Sequence, residues 1–190
     1  MKRILMLALL IAAWSVPAIA GNIVQVAEFP GLTPQQLYDA YLSSKDHAGM
    51  TGFPATYYRP STKSNVPIGQ EGDELQAFGM TGADGKLHYI IHGRILRLIP
   101  GHVVVMTWSA TTWGLPDDAP VPESELVLTF RKTPEGAEIR LVQVNVPDLP
   151  GGSATGDGAT EPDAVNTNWY FRYWEPMRKY FAAQAKPAIP

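Results

Sequence analysis

The feature that most constrains the fold is an aromatic face on the last predicted helix of the chain. Four large apolar side chains recur every four residues and therefore share one side of a helix: Trp169, Tyr173, Met177 and Phe181. Pro176 removes one helical backbone hydrogen bond, so we expect the helix to kink or restart there. A face this wide must pack on apolar surface, and only one face of a β-sheet offers enough of it. The sequence therefore predicts a sheet covered by a C-terminal helix.

The sheet itself is predicted from alternating apolar and polar residues separated by turn residues. Such strands are predicted at 22–29, 55–58, 73–80, 87–99, 102–110, 124–132 and 137–146. Short links such as Pro100-Gly101 favour antiparallel neighbours. After the first strand, Thr33, Pro34 and Gln36 fit the cap and first turn of a helix, and 44–50 predicts a second, shorter one.

The first twenty residues have the pattern of an export signal. Lys2 and Arg3 precede an apolar run over 4–14, and Ala18-Ile19-Ala20 fits a cleavage site. The run is shorter than the roughly 20 residues that span a bilayer, so we expect no stable membrane insertion after cleavage. The predicted product is secreted across the inner membrane into the periplasm.

The remaining chain is predicted to be one domain over 21–185. Segment 147–168 is rich in glycine and proline and poor in large apolar residues, which predicts a flexible loop. Residues 186–190 are predicted to be a disordered tail.

Composition excludes several classes of function. The chain has 190 residues and no cysteine, so disulfides, thiol nucleophiles and cysteine-based zinc sites are excluded. With 15 Lys and Arg against 18 Asp and Glu, its net charge is −3 and its basic residues are scattered. Nucleic acid is therefore not an expected partner, because phosphate binding depends on clustered basic residues.

Several short segments stand in an order that resembles one known family. They are 47–52 (HAGMTG), 93–100 (GRILRLIP), 104–108 (VVMTW), 128–130 (LTF), 142–147 (VQVNVP), and Trp169 with Tyr173, Trp174, Pro176 and Met177. Together they resemble the domain named after the activator of the ninety-kilodalton heat-shock protein ATPase, in the START-like (SRPBCC) superfamily. The resemblance implies an α+β helix-grip fold: a curved antiparallel sheet gripped by a long C-terminal helix, with two short helices after the first strand.

Members of the superfamily commonly bind small apolar molecules between the sheet and the last helix, which implies that residues of both elements line such a site. Strand alternation places Val104, Met106 and Trp108 on one face, and carries Gln143 onto an otherwise apolar wall. The predicted ligand-binding residues are Gln143, Trp108, Met106, Tyr89, Trp169, Tyr173 and Met177. The alternative is that the aromatic residues are ordinary core and that Gln143 is a structural amide satisfied by backbone or by Asn145.

Catalysis and metal binding have little support in the sequence. His88 and His92 have ligand spacing for a helix, but on a strand they lie about 13 Å apart. No metal site or cofactor is predicted, and only His92, Asp73 and Tyr89 are conceivable acid–base groups. Our leading hypothesis is binding of a small apolar ligand. The alternatives are a cyclase or hydrolase that uses the same cavity, and a chaperone-related role that would need an exposed apolar patch.

Overall fold

The computed structural model describes residues 21–110, 123–146 and 169–185. The predicted signal peptide (1–20), loop (147–168) and tail (186–190) lie outside the described residues. Eight strands form one antiparallel sheet: β1 (Gly21–Pro30), β2 (Thr56–Arg59), β3 (Ser64–Val66), β4 (Glu74–Thr81), β5 (Leu87–Ile99), β6 (Val103–Ala110), β7 (Ser124–Lys132) and β8 (Gly136–Val146).

The strand order across the sheet is β1-β8-β7-β6-β5-β4-β2-β3. Consecutive strands from β4 to β8 are neighbours, as the short links after β4, β5 and β7 predict, while β1 closes one edge by pairing with β8. The sheet is curved, and its concave side holds the helices.

Three α-helices pack on the concave side: α1 (Pro34–Leu42), α2 (Ser44–Thr51) and α3 (Glu175–Gln184). Thr33 and Gln36 form the predicted capping box at the start of α1. Gly52 ends α2 with a φ of +75°, a conformation that glycine adopts without strain.

The C-terminal helix has two parts, which confirms the predicted restart at Pro176. A π-helical segment (Tyr170–Trp174) leads directly into α3, and the Glu175 N–H donates to the carbonyl of Tyr170, five residues back. Pro176 then occupies the first turn of α3, where its missing N–H costs least. The predicted helix face is confirmed: Trp169, Tyr173 and Met177 are buried, and Phe181 packs at the margin of the core.

Strand β3 was missed by the sequence analysis, which predicted seven strands. Its three residues Ser64, Asn65 and Val66 show no apolar alternation, and they form a strand because they pair with β2 in a hairpin. Being so short, β3 offers little free edge to another chain.

The edge formed by β1 is partly covered by the C-terminal helix. Arg178 Nε donates to the carbonyl of Glu28 at 3.1 Å, and Trp174 Nε1 donates to Gln25 Oε1. Within the described ranges, no helix has the length and hydropathy needed to cross a bilayer.

Candidate functional site

The concave face of the sheet is apolar and buried, as predicted. Val104, Met106 and Trp108 alternate inward on β6, and Leu126, Leu128 and Phe130 do so on β7. On β8, Ile139 and Leu141 lead to Gln143, which pairs in register with Leu126. The described helices lie over this face, because the Tyr41 hydroxyl contacts Met106 from α1 and the Trp169 ring contacts the Trp108 ring from the C-terminal helix.

Gln143 is completely buried, and both ends of its amide have partners. Its Nε2 donates to Ser124 Oγ at 2.7 Å, and its Oε1 accepts from Trp169 Nε1 at 2.8 Å. Ser124 Oγ in turn donates to the carbonyl of Trp108 at 2.9 Å. Gln143 therefore joins β7, β8 and the C-terminal helix. Among the described residues its partners are the side chains of Ser124 and Trp169, whereas the structural alternative named backbone or Asn145.

An aromatic cluster, consisting of Trp108, Trp169, Tyr173 and Trp174, lies over this amide. The ring centroids of Trp169 lie 4.9 Å from Trp108, 4.7 Å from Tyr173 and 5.6 Å from Trp174. All four side chains are buried, so these rings pack directly on one another. Met106 and Met177 are also fully buried. The cluster thus forms a closed floor.

His47 is the main buried group that the sequence analysis did not single out. It is fully buried in α2, with Nδ1 3.0 Å from the carbonyl oxygen of Tyr41 and Nε2 3.4 Å from the hydroxyl of Tyr173. A carbonyl only accepts, so Nδ1 carries the proton and Nε2 accepts from Tyr173. The Tyr41 carbonyl also accepts from the Tyr57 hydroxyl at 2.6 Å. Two side chains therefore satisfy a carbonyl that the end of α1 leaves without a helical partner.

Burial keeps this group of side chains uncharged. It lowers the pKa of His47 to about 4, although the hydrogen bond to Tyr41 opposes that shift. It also raises the pKa of the Tyr41, Tyr57 and Tyr173 hydroxyls above the usual value. At neutral pH all four groups are neutral and act as hydrogen-bonding parts of the core. The signal in the sequence was the helical spacing of His47 from Met50 and Thr51, with which it shares the buried face of α2.

The conceivable acid–base residues do not come together. Asp73 is buried and held bidentately by Arg59, with N–O distances of 2.9 and 2.8 Å, and it also accepts from the Gln70 N–H. His92 alternates with the inward-facing Ile91 and Gly93, so it lies on the other face from Gln143, and its Nε2 contacts the carbonyl of Tyr89 at 2.9 Å. Neither Asp73 nor His92 is bonded to Gln143.

Exposed His88 pairs with Asp84 at 3.0 Å. In the described part of the chain, no group of three or more potential ligand side chains could hold a metal ion.

Tyr89 lies apart from the other six predicted residues. It belongs to a concave rim, which we define as Leu87, Tyr89 and Ile91 on β5. Ile91 pairs with Ala110 at the end of β6, and Leu87 and Tyr89 lie beyond that described end. Tyr89 and Ile91 are half-buried and Leu87 is 47% exposed. Opposite Tyr89, the space beside Gly79 is filled by neighbouring side chains, since a Cβ there would lie 2.9 Å from Pro54, 3.0 Å from Leu87 and 3.1 Å from the Tyr89 ring.

Phe78 links the rim to the aromatic cluster. Its φ of +55° is rare for a bulky residue, and its ring lies 5.4 Å from Tyr173 and 5.2 Å from Phe53. The concave wall is thus continuous from the buried cluster to a partly exposed apolar rim.

A curved antiparallel sheet with a helix laid across its concave face defines the START-like (SRPBCC) class. The chain belongs to the family described as Activator of Hsp90 ATPase homolog 1-like protein, which matches residues 32–182. The search of curated protein sequences found no match.

Solved structures show the same fold at low sequence identity. A protein of Chromobacterium violaceum is 21% identical, with 88% of this chain and 98% of that chain covered and a TM-score of 0.55. An HSP90 activator from Plasmodium falciparum is 14% identical over 87% and 96% of the two chains, with a TM-score of 0.52. A protein in the dynemicin biosynthetic locus is 10% identical over 86% and 48%, with a TM-score of 0.53.

Proposed function

We propose that the chain is exported and that it binds a small apolar molecule on the concave face, between the rim and the aromatic cluster. The observation that carries this proposal is the apolar rim. Leu87, Tyr89 and Ile91 extend the concave wall beyond the part that the described helices fill, and they keep part of their surface exposed. Ligand sites are typically concave, with apolar walls and few polar groups.

The packing of the cluster divides the predicted ligand residues into two groups. Trp108, Trp169 and Tyr173 contact one another through their rings and are nearly inaccessible, which supports a role as the floor of the site. The amide nitrogen of Gln143 donates to Ser124 and its amide oxygen accepts from Trp169, so Gln143 supports that floor and does not contact the ligand. Direct contact with ligand falls to Tyr89 and its neighbours on β5.

Titration with 1-anilinonaphthalene-8-sulfonate, an apolar fluorescent probe, tests this site. We expect Tyr89→Ala to weaken probe binding by about tenfold or more, the equivalent of about 1.4 kcal/mol. The matched control is Tyr58→Ala, since Tyr58 is a half-buried tyrosine on β2, and we expect it to stay within about twofold. Equal effects of the two variants would contradict the proposed site. Native mass spectrometry of the protein from its own host would then identify a co-purifying ligand.

Export rests on the leader pattern over residues 1–20 and has its own test. N-terminal sequencing of the protein from a periplasmic fraction should begin at Gly21. An intact Met1 chain confined to the cytoplasm would contradict export and would leave the ligand proposal standing.

Catalysis on the same concave face is the second candidate. It is favoured by the phenol of Tyr89, the one conceivable acid–base group on the rim. Tyr89→Phe separates the two functions, because it keeps the ring and removes the hydroxyl. A carrier should retain probe binding in this variant, whereas an enzyme should lose turnover with binding intact.

A further inference from the structure

The convex face of the sheet carries a group of apolar residues that the described helices leave uncovered. All three α-helices pack on the concave side, as the contacts Tyr38–Phe130 and Trp108–Trp169 show. On the opposite face of β1, Val24 is 56% exposed and Val26 is 55% exposed. An outer valine row runs across four strands in register: Val24, Val142, Val127 and Val105.

Apolar residues also flank this row. Val26, Val103 and Ile99 lie on one side of it and Val144 lies on the other. Five strands about 4.8 Å apart and three rows about 7 Å apart make a face of roughly 500 Å² in projection. This approaches the roughly 600 Å² that each partner buries at the lower end of specific interfaces. Polar residues share this face: Thr129 and Arg140 lie in the first flanking row, Glu125 and Thr107 lie in the second, and Arg97 continues the valine row on β5. An apolar centre with a polar rim is typical of a protein–protein interface.

We infer that this convex face is a homodimer interface, with a second copy of the chain as its occupant. A two-fold axis that lies in the interface along the outer valine row places each valine on the same valine of the partner. The axis exchanges the rows on either side. Arg140 and Glu125 flank the row on opposite sides. Arg140 lies two residues before Val142 on β8, and Glu125 lies two residues before Val127 on the antiparallel strand β7.

The rotation therefore sets Arg140 of one copy one strand spacing, about 4.8 Å laterally, from Glu125 of the other. Both side chains are exposed, and neither forms an ion pair with another described residue. The rotation thus pairs opposite charges at two symmetry-related places, which favours an isologous interface.

Sedimentation velocity on the purified protein from about 1 to about 100 µM tests the inference. We expect a dimer that dissociates on dilution. Val24→Lys brings two ammonium groups together across the axis and should weaken the dimer by about tenfold or more. Ile68→Lys makes the same chemical change at a loop residue that is 55% exposed, and it should leave the dimer unchanged.

A charge exchange provides a test that does not depend on the valines. Arg140→Glu and Glu125→Arg should each weaken the dimer by about tenfold at low ionic strength, and the double variant should recover most of the loss. Circular dichroism establishes that each variant is folded. A wild-type monomer throughout the range, including one that captures a different protein on this face, would overturn the inference. So would a dimer that neither Val24→Lys nor the charge exchange affects.

Discussion

Trp169 Nε1 donates a 2.8 Å hydrogen bond to Gln143 Oε1 where both side chains are shielded from water. This bond joins the first turn of the C-terminal helix to β8, and the Trp169 ring lies on Trp108 of β6 at the same point. One residue therefore fixes the helix to the sheet both by packing and by a directed polar contact. The stability of the concave site depends on it.

Trp169→Ala should lower the free energy of unfolding by about 3–5 kcal/mol, because it empties a buried position in contact with three other rings. Urea denaturation measures the change. The control is Phe171→Ala, since the Phe171 side chain is 57% exposed and its loss should cost about 0.5 kcal/mol or less. A loss below about 1.5 kcal/mol at Trp169 would indicate a ligand-contacting wall instead of tight core.

Gln143→Leu should cost about 1–3 kcal/mol, because it leaves the buried Trp169 N–H without an acceptor. The effect should shrink in a Trp169→Phe background, where that N–H no longer exists. A double-mutant cycle measured by urea denaturation isolates this coupling. Additive effects of the two substitutions would show that the hydrogen bond contributes nothing measurable.

Gly49→Ala should destabilise the protein although alanine favours helix by about 1 kcal/mol. A Cβ on Gly49 would overlap the Tyr180 ring, whose hydroxyl is held by Asp46 at 2.5 Å, so α2 and α3 would have to separate or that bond would break. We expect a loss of about 1–3 kcal/mol in thermal or urea unfolding. In a Tyr180→Ala background the sign should reverse. Destabilisation in both backgrounds would contradict the clash.

Burial of His47 should make stability fall in mild acid. The pKa of His47 is about 4 in the folded protein, against 6.5 for an unperturbed histidine. Below pH 6.5 the unfolded chain therefore binds a proton at this histidine that the folded chain does not bind. The contribution of neutral His47 to the free energy of unfolding is complete above about pH 6.5. It is lost as the pH falls towards 4, by up to about 3 kcal/mol.

Urea denaturation at pH values of about 7.5 and about 4.5, on either side of the histidine transition, measures this loss. Carboxylates also titrate in this range, so the informative quantity is the difference between wild type and His47→Gln, which cannot take up the proton. His102→Gln, at an exposed turn residue, should keep the wild-type dependence. Identical pH dependence in all three proteins would show that His47 is not a buried neutral group.

The overall architecture could be predicted because several local signals agreed. The capping box at Thr33, the alternation of Val104, Met106 and Trp108, and the four-residue spacing from Trp169 each follow from short-range geometry. Strand β3 could not be predicted, since its polar residues become a strand only through pairing with β2.

The site was harder to predict because its important contacts join residues that are far apart in sequence. Gln143 was identified as a buried amide, but its acceptor role towards Trp169 spans 26 residues and could not be read from strand alternation. For Asp73, the decisive partner is Arg59 on a neighbouring strand, which turns a candidate acid into one half of an ion pair. The role of His47 could not be predicted, because a lone histidine in a short helix carries no sign of the Tyr41 carbonyl that it satisfies.

The π-helical turn at Tyr170–Trp174 makes the winding of the helix, as well as composition, a requirement of this fold. Such a turn contains one residue more than the regular α-helical spiral. If the same number of residues instead wound as a regular α-helix, the extra residue would add about 100° and rotate everything upstream. The indole ring that now meets the glutamine would then swing away from the strands, with no amino acid at the contact itself having changed.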